Sequence, residues 1–307
     1  MRIGQFGRNR GMGGQPRRRM SWKVRLIPIV LFALYGLYYY VSNQETVPIT
    51  GRSQLVDMTR EQEMSLGLQS YQEILSQSQV VPQGEAVDLI RTIGRKLANA
   101  AIDVDPGFDW EFNVIQSDQA NAFALPGGKT AVYTGLFPVA ENANGLAVVM
   151  GHEIAHAIAR HGAERMAYQK LVQIGSMAAS VALGDMDYQT QRAVMGALGV
   201  GAQYGVLLPF SRDHESEADY MGLLFVARAC FDPTEAPKLW ERMGEIGEGQ
   251  QPAEFMSTHP SHETRIKQFQ EWMPEALAIH EQHCSNEPSS ASQLPNLLPN
   301  SSPGFRF

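Results

Sequence analysis

Gly151-His152-Glu153-Ile154-Ala155-His156 is the stretch on which the reading of this chain turns. Leu146 to Met150 before it and Ile154, Ala155, Ala157 and Ile158 within and after it are apolar, so the segment predicts a buried helix. On a helix, residues four apart share a face. His152 and His156 then project the same way, about one turn apart, and each can give a ring nitrogen to one tetrahedral Zn²⁺. Glu153 follows the first histidine directly, so its carboxylate sits beside the metal, where it can take a proton from water held there and pass it to a leaving amine. Five-letter motifs arise by chance, and context decides. Here two imidazoles and a carboxylate inside an apolar helix would be costly without such a purpose.

A third ligand must come from elsewhere. His161 lies five positions beyond His156, about 140° around a continuous helix at 100° per residue, which predicts a surface residue or one touching a ligand from behind. Ser211-Arg212-Asp213-His214-Glu215-Ser216-Glu217-Ala218-Asp219 offers carboxylates instead. Glu215 and Asp219 are four apart, hence on one face. Glu215 can ligate zinc while Asp219 accepts the outer N–H of a ligand histidine and fixes its tautomer. His214 and Glu217 are chemically plausible ligands too, but steps of about 100° let only one residue of the set point squarely at the metal. Glu217 is expected to face solvent or pair with a base.

Around this centre the predicted elements are mostly helical. Thr59 with Gln62 forms a capping box opening a helix to about Ser76. A second helix runs from Glu85 to Ile102, with Val87, Ile90, Ile93, Leu97 and Ala101 at helical spacing. Trp110–Ile115 alternates as a strand, and 121–125 and 129–134 form two more around Pro126-Gly127-Gly128. A long helix is expected from Asn144 to beyond Met166. The Gly-, Ala- and Met-rich stretch 171–210 suggests helices over the site, as a core pair or, alternatively, lying against the membrane, and further helices are expected from Ser211, Thr234 and Ser261.

The chain has 307 residues and a net charge of −7. Eight Arg or Lys and no acid lie in residues 1–25, which leaves 17 bases against 32 acids, or −15, for the remainder. A basic tail on an acidic body argues against nucleic-acid binding and resembles a membrane-orientation signal. Leu26–Val41 is uncharged and mostly apolar; with Trp22, Lys23 and Arg25 it approaches the roughly 20 residues of a span. The expected organisation is a basic cytoplasmic tail (1–25), a transmembrane anchor touching lipid (26–42), a linker (43–58), a peptidase domain (59–284) and a disordered tail (285–307). Cys230 and Cys284 form no metal-binding pattern and can pair only in an oxidising compartment.

These motifs together resemble the HtpX and CAAX-prenyl-protease family of zinc peptidases, in particular its branch of mitochondrial and bacterial periplasmic enzymes with soluble catalytic domains. The resemblance covers roughly residues 52–275. It rests on Asn121-Ala-Phe-Ala-Leu-Pro-Gly-Gly128, Gly151–His156, Ser211-Arg212 with Glu215-x-Glu-Ala-Asp219, and Thr258-His259-Pro260 with Arg265-Ile266. It implies an α+β, mostly helical, zincin-like domain with a small sheet beside the zinc helix. It also implies one Zn²⁺ per chain held by His152, His156 and Glu215, Glu153 as base, and His259 as a further catalytic residue at the metal. Asp219 and Arg265 would back the ligands, and an extended polypeptide substrate would pair with the strand at Asn121 and Ala122. The expected reaction is endoproteolysis of misfolded or membrane-proximal proteins. A chaperone or assembly factor with a mostly closed zinc site is the alternative. The expected location is a bacterial inner membrane with the catalytic domain in the periplasm, or else the mitochondrial inner membrane.

Overall fold

The computed structural model describes residues 22–184, 186–202, 208–247 and 264–285. It opens on helix α1 (Trp22–Ser42) and a hairpin of β1 (Gln44–Thr46) and β2 (Ser53–Leu55). Helix α2 (Arg60–Gln77) carries the expected capping box: Thr59 accepts from the Gln62 amide, and the Gln62 side chain accepts from the Thr59 amide. There follow β3 (Val80–Val81), α3 (Glu85–Ala100), β4 (Glu111–Ile115), β5 (Ala122–Leu125) and β6 (Lys129–Tyr133). The short α4 (Phe137–Ala140) leads into α5 (Ala143–Ile158), α6 (His161–Leu183), α7 (Tyr188–Ala202), α8 (Leu208–Arg228), α9 (Glu235–Gly247) and α10 (Arg265–Cys284).

One four-stranded sheet has the order β3-β4-β6-β5; β4 and β6 are parallel and the outer pairings antiparallel. The apolar stripe Val87, Ile90, Ile93, Leu97 and Ala101 is buried throughout, because α3 packs against both β4 and α5. β5 packs on α5 and has β6 as its one strand neighbour among the described residues. The sheet therefore presents an edge beside the motif helix.

Helix α5 is held deepest. Asn142 caps it by accepting from the Gly145 amide at 2.9 Å. Its broadest helix contact is with α8, and glycines set how close the two come. A Cβ on Gly222 would lie 2.8 Å from the His152 nitrogen and 2.9 Å from the Gly151 carbonyl carbon. The obstacles are backbone and cannot swing aside. Gly222→Ala is expected to destabilise the fold by about 1–3 kcal/mol as an overpacked core does, and to lower metal retention by displacing α8. Thermal melts with zinc analysis check this; an unchanged melt and metal content would show that the crossing has slack.

Three expectations need correction, and the membrane anchor is not confirmed. The helix from Asn144 does not continue past Met166: it stops at Ile158, Arg160 takes a left-handed φ of 60°, and α6 starts anew. Arg160 is held there by Glu63 at 2.6 Å, by the Met58 carbonyl at 2.6 Å and by Glu45, long-range partners that local periodicity does not encode. The linker 43–58 contains the β1–β2 hairpin, built around a turn with positive φ at Ile49 and Gly51. The stretch 171–210 is helical where described, but not a core pair: Met177, Val181, Tyr188, Leu198 and Val200 are exposed. Lastly, helix α1 exists, yet among the described residues no helix is long and apolar enough to cross a membrane. Its uncharged run, Leu26–Val41, gives about 24 Å of helix against roughly 30 Å of hydrocarbon. Tyr39 of α1 instead packs with Leu55 and Ala167, its hydroxyl donating to the Ala167 carbonyl.

Cys230 and Cys284 form a disulfide tying the end of α8 to the end of α10 across 54 residues of sequence. Loop closure of that length contributes about 4 kcal/mol through the unfolded state. The double variant Cys230→Ala/Cys284→Ala should lose stability of that order in denaturant unfolding; a loss below about 1 kcal/mol would contradict it. The Ser261 helix start and the tail beyond residue 285 lie outside the described residues.

Candidate metal centre

The α5–α8 crossing brings the ligand atoms of three residues together, a ring nitrogen from each histidine and the two oxygens of one carboxylate. His152 Nε2 and His156 Nε2 are 3.0 Å apart; Glu215 Oε2 lies 3.3 Å from the first and Glu215 Oε1 3.6 Å from the second. Tetrahedral Zn²⁺ with bonds of about 2.0–2.1 Å separates its ligand atoms by about 3.4 Å. The triangle therefore fits a zinc ion, and two imidazoles with one carboxylate are a donor set suited to it. Glu153 is buried at 3 % exposure directly beside His152.

His152 and Glu215 are braced from behind. His152 Nδ1 lies 2.8 Å from Asp219 Oδ1, one turn along α8 from Glu215. Arg265 reaches in from α10, its Nε donating to Asp219 Oδ2 at 2.6 Å and a terminal nitrogen donating to Glu215 Oε2 at 3.0 Å. Arg265 is 1 % exposed, and its guanidinium lies over the Trp240 ring at 3.7 Å. Such charge-assisted contacts fix the carboxylates' orientation. Burial opposes charge on His152, but the Asp219 hydrogen bond and charge, followed by those of Glu215, outweigh it and push its pKa up to about 10. The cavity thus favours a cation at the ligand nitrogens.

His161 is not at the surface. The break at Arg160 turns it back on the site, buried, with Nδ1 2.8 Å from His156 Nδ1 and Nε2 3.0 Å from Glu217 Oε2. Burial first, then the nearby His214, hold it neutral, well below the usual histidine range. Glu217 does not face solvent: it is buried and takes the base alternative, pairing with Arg52 at 2.7 Å. His214 turns away from the ligand triangle, its Nε2 2.9 Å from Glu164 Oε2. Sequence reasoning missed Thr50, Arg52 and Glu164. The only hints were a base in an otherwise uncharged run after Glu45 and a His161-x-x-Glu164 spacing at a helix start.

Asn121 and Ala122 lie at the sheet edge, where Asn121 Oδ1 accepts from the Ala122 amide at 2.9 Å. His259 lies outside the described residues.

With this geometry in hand, comparisons with known proteins become specific. Residues 85–273 match peptidase family M48. The chain is similar to the mitochondrial metalloendopeptidase OMA1 of Schizosaccharomyces pombe, 38 % identical over 80 % of this chain and 71 % of that one. It is also similar to OMA1 of Saccharomyces cerevisiae, 34 % identical over 84 % and 77 %. The β-barrel assembly-enhancing protease of Escherichia coli is 28 % identical over 74 % of this chain and 47 % of its own. The chain belongs to peptidase family M48 and is a metalloendopeptidase.

Proposed function

We propose that the chain cleaves extended segments of misfolded or membrane-proximal proteins at one zinc ion held by His152, His156 and Glu215. The observation that carries this is the approach of the His152 and His156 Nε2 atoms to 3.0 Å of each other and of the Glu215 oxygens to 3.3 and 3.6 Å of them, with Glu153 on the same helix as the histidines. A bound zinc ion would act as a Lewis acid, polarising the scissile carbonyl and bringing the pKa of a coordinated water to about 7. Glu153 takes the proton from the attacking water and delivers it to the leaving amine. Asp219 keeps the His152 proton on Nδ1, and Arg265 holds Glu215 and Asp219 in register. His259 is proposed as a hydrogen-bond donor to the oxyanion.

Substrate enters as an added strand on β5. The Tyr133 amide donates to the Asn121 carbonyl, so alternation turns the amide and carbonyl of Ala124 away from β6. An extended peptide would pair there. Ala124→Pro removes that donor at an edge position that tolerates proline. It should lower kcat/KM on unfolded casein about 5–10-fold, the worth of one hydrogen bond of about 1 kcal/mol, with melting unchanged. Undiminished kcat/KM would rule out pairing at Ala124.

Membrane contact through residues 26–42 is supported by the exposed Leu31, Leu34, Leu37 and Tyr38 of α1. The disulfide favours an oxidising compartment. The yeast relatives are mitochondrial by name, which supports the mitochondrial alternative; the E. coli relative is bacterial. That relative's name joins assembly with proteolysis, and His152 and Glu153 are 2 % and 3 % exposed; both favour the second reading, an assembly factor with a mostly closed site. A Glu153→Gln chain that still supports envelope-protein assembly would favour that second reading.

A further inference from the structure

We propose that His161 is a positioning residue for the metal-facing His156, the middle of a relay that runs to Glu217 and ends on the hairpin after α1. The proposal rests on the metal-centre reading above. His152 has its brace in Asp219, whereas the Nδ1 of His156 faces His161. The His156 side chain is also more exposed than that of His152, 15 % against 2 %, so its ring is less confined by packing.

The proton assignment follows from the distances. If His156 offers the Nε2 lone pair to a cation, its proton sits on Nδ1. That atom lies 2.8 Å from His161 Nδ1, and two ring nitrogens so close need one proton between them. His156 therefore donates and His161 accepts. His161 then carries its own proton on Nε2, which points at Glu217 Oε2 3.0 Å away. Each ring atom has one role and none conflicts.

The far end of the relay is fixed as firmly. Arg52 Nε donates to Glu217 Oε2 at 2.8 Å, and the Thr50 hydroxyl donates to Oε1. Arg52 also makes a two-pronged contact with Glu164 at 2.9 and 2.7 Å. The His161 ring is stacked on His214, centroids 4.1 Å apart and planes 8° from parallel, and His214 is in turn bonded to Glu164. The hairpin thus determines where His161 sits, and His161 determines which tautomer and ring orientation His156 presents. Orienting partners of this kind are worth about 10–100-fold in metal affinity.

The test uses the full-length chain and zinc itself, with competition against a chromophoric chelator. His161→Phe keeps the ring volume and removes both nitrogens; zinc affinity should fall about 10–100-fold. His161→Asn places an amide oxygen near the lost Nδ1 and should return affinity to within a few-fold of wild type. The Co²⁺-substituted His161→Phe chain should show a shifted d–d spectrum and the Asn variant a spectrum like the wild type. Melting of the metal-free chains separates packing from positioning. Wild-type affinity in His161→Phe overturns the proposal, as does equal loss of affinity and melting temperature in both variants. A wild-type chain that takes up no zinc overturns the metal centre and the relay together, whereas a wild type that binds zinc but cleaves nothing leaves the relay standing and removes only the proposed proteolysis.

Discussion

Glu153→Gln is expected to abolish peptide hydrolysis while zinc stays bound at about one per chain. The substitution is nearly isosteric in a position only 3 % exposed, so packing against the rest of α5 is kept. The ligand atoms of His152, His156 and Glu215 are untouched. What disappears is a carboxylate able to accept a proton from the attacking water and return it to the amine. General acid–base assistance alone is worth about 10²–10⁴-fold, and the proposed mechanism gives both transfers to this one residue. Turnover of unfolded casein and zinc analysis on the same preparation check the pair of outcomes. Full zinc with unchanged turnover would remove Glu153 from the mechanism; loss of zinc would make it a ligand.

Glu215→Gln should instead lose the metal. Both Glu215 oxygens face histidine nitrogens, at 3.3 and 3.6 Å, and Arg265 holds the carboxylate at 3.0 Å. An amide there turns an N–H group towards the cation and removes the charge. Affinity should fall well beyond the roughly 10–100-fold that loss of a mere orienting partner causes. Glu217→Gln is the matched control. Glu217 lies on the other side of α8, among Thr50, Arg52 and His161, and the amide oxygen can still accept from His161. It should keep zinc within a few-fold. If the Glu217 variant emerged metal-free from mild chelation and the Glu215 variant did not, the ligand assignment would be reversed.

Much of this centre was legible in the sequence because helices encode faces. The four-residue spacings of His152 with His156 and of Glu215 with Asp219 survive any arrangement of the rest of the chain. The capping box at Thr59 and the α3 stripe are equally local. What was not legible depends on distant partners. The 140° argument left His161 either at the surface or behind a ligand because it assumed a continuous helix; the left-handed turn at Arg160, which decides for the second, comes from Glu45, Met58 and Glu63, about a hundred residues earlier in the chain. The segment 43–58 looked like a linker because β1 and β2 are three residues each, too short for an alternating pattern. Composition alone suggested that 171–210 belonged in the core, yet small apolar side chains fit an exposed helical pair as well. The uncharged run of α1 suggested a membrane span; among the described residues no helix is long and apolar enough to cross one.

Proteolysis by this chain is proposed to require one zinc ion at His152, His156 and Glu215. The most direct measurement follows zinc content and casein turnover through one cycle of chelation and stepwise zinc return on the full-length chain. About one zinc per chain is expected at the start, then parallel loss of metal and turnover, and recovery of both that saturates at one equivalent. Turnover that persists in the metal-free chain, or zinc uptake that is undiminished in His152→Ala/His156→Ala, would contradict it.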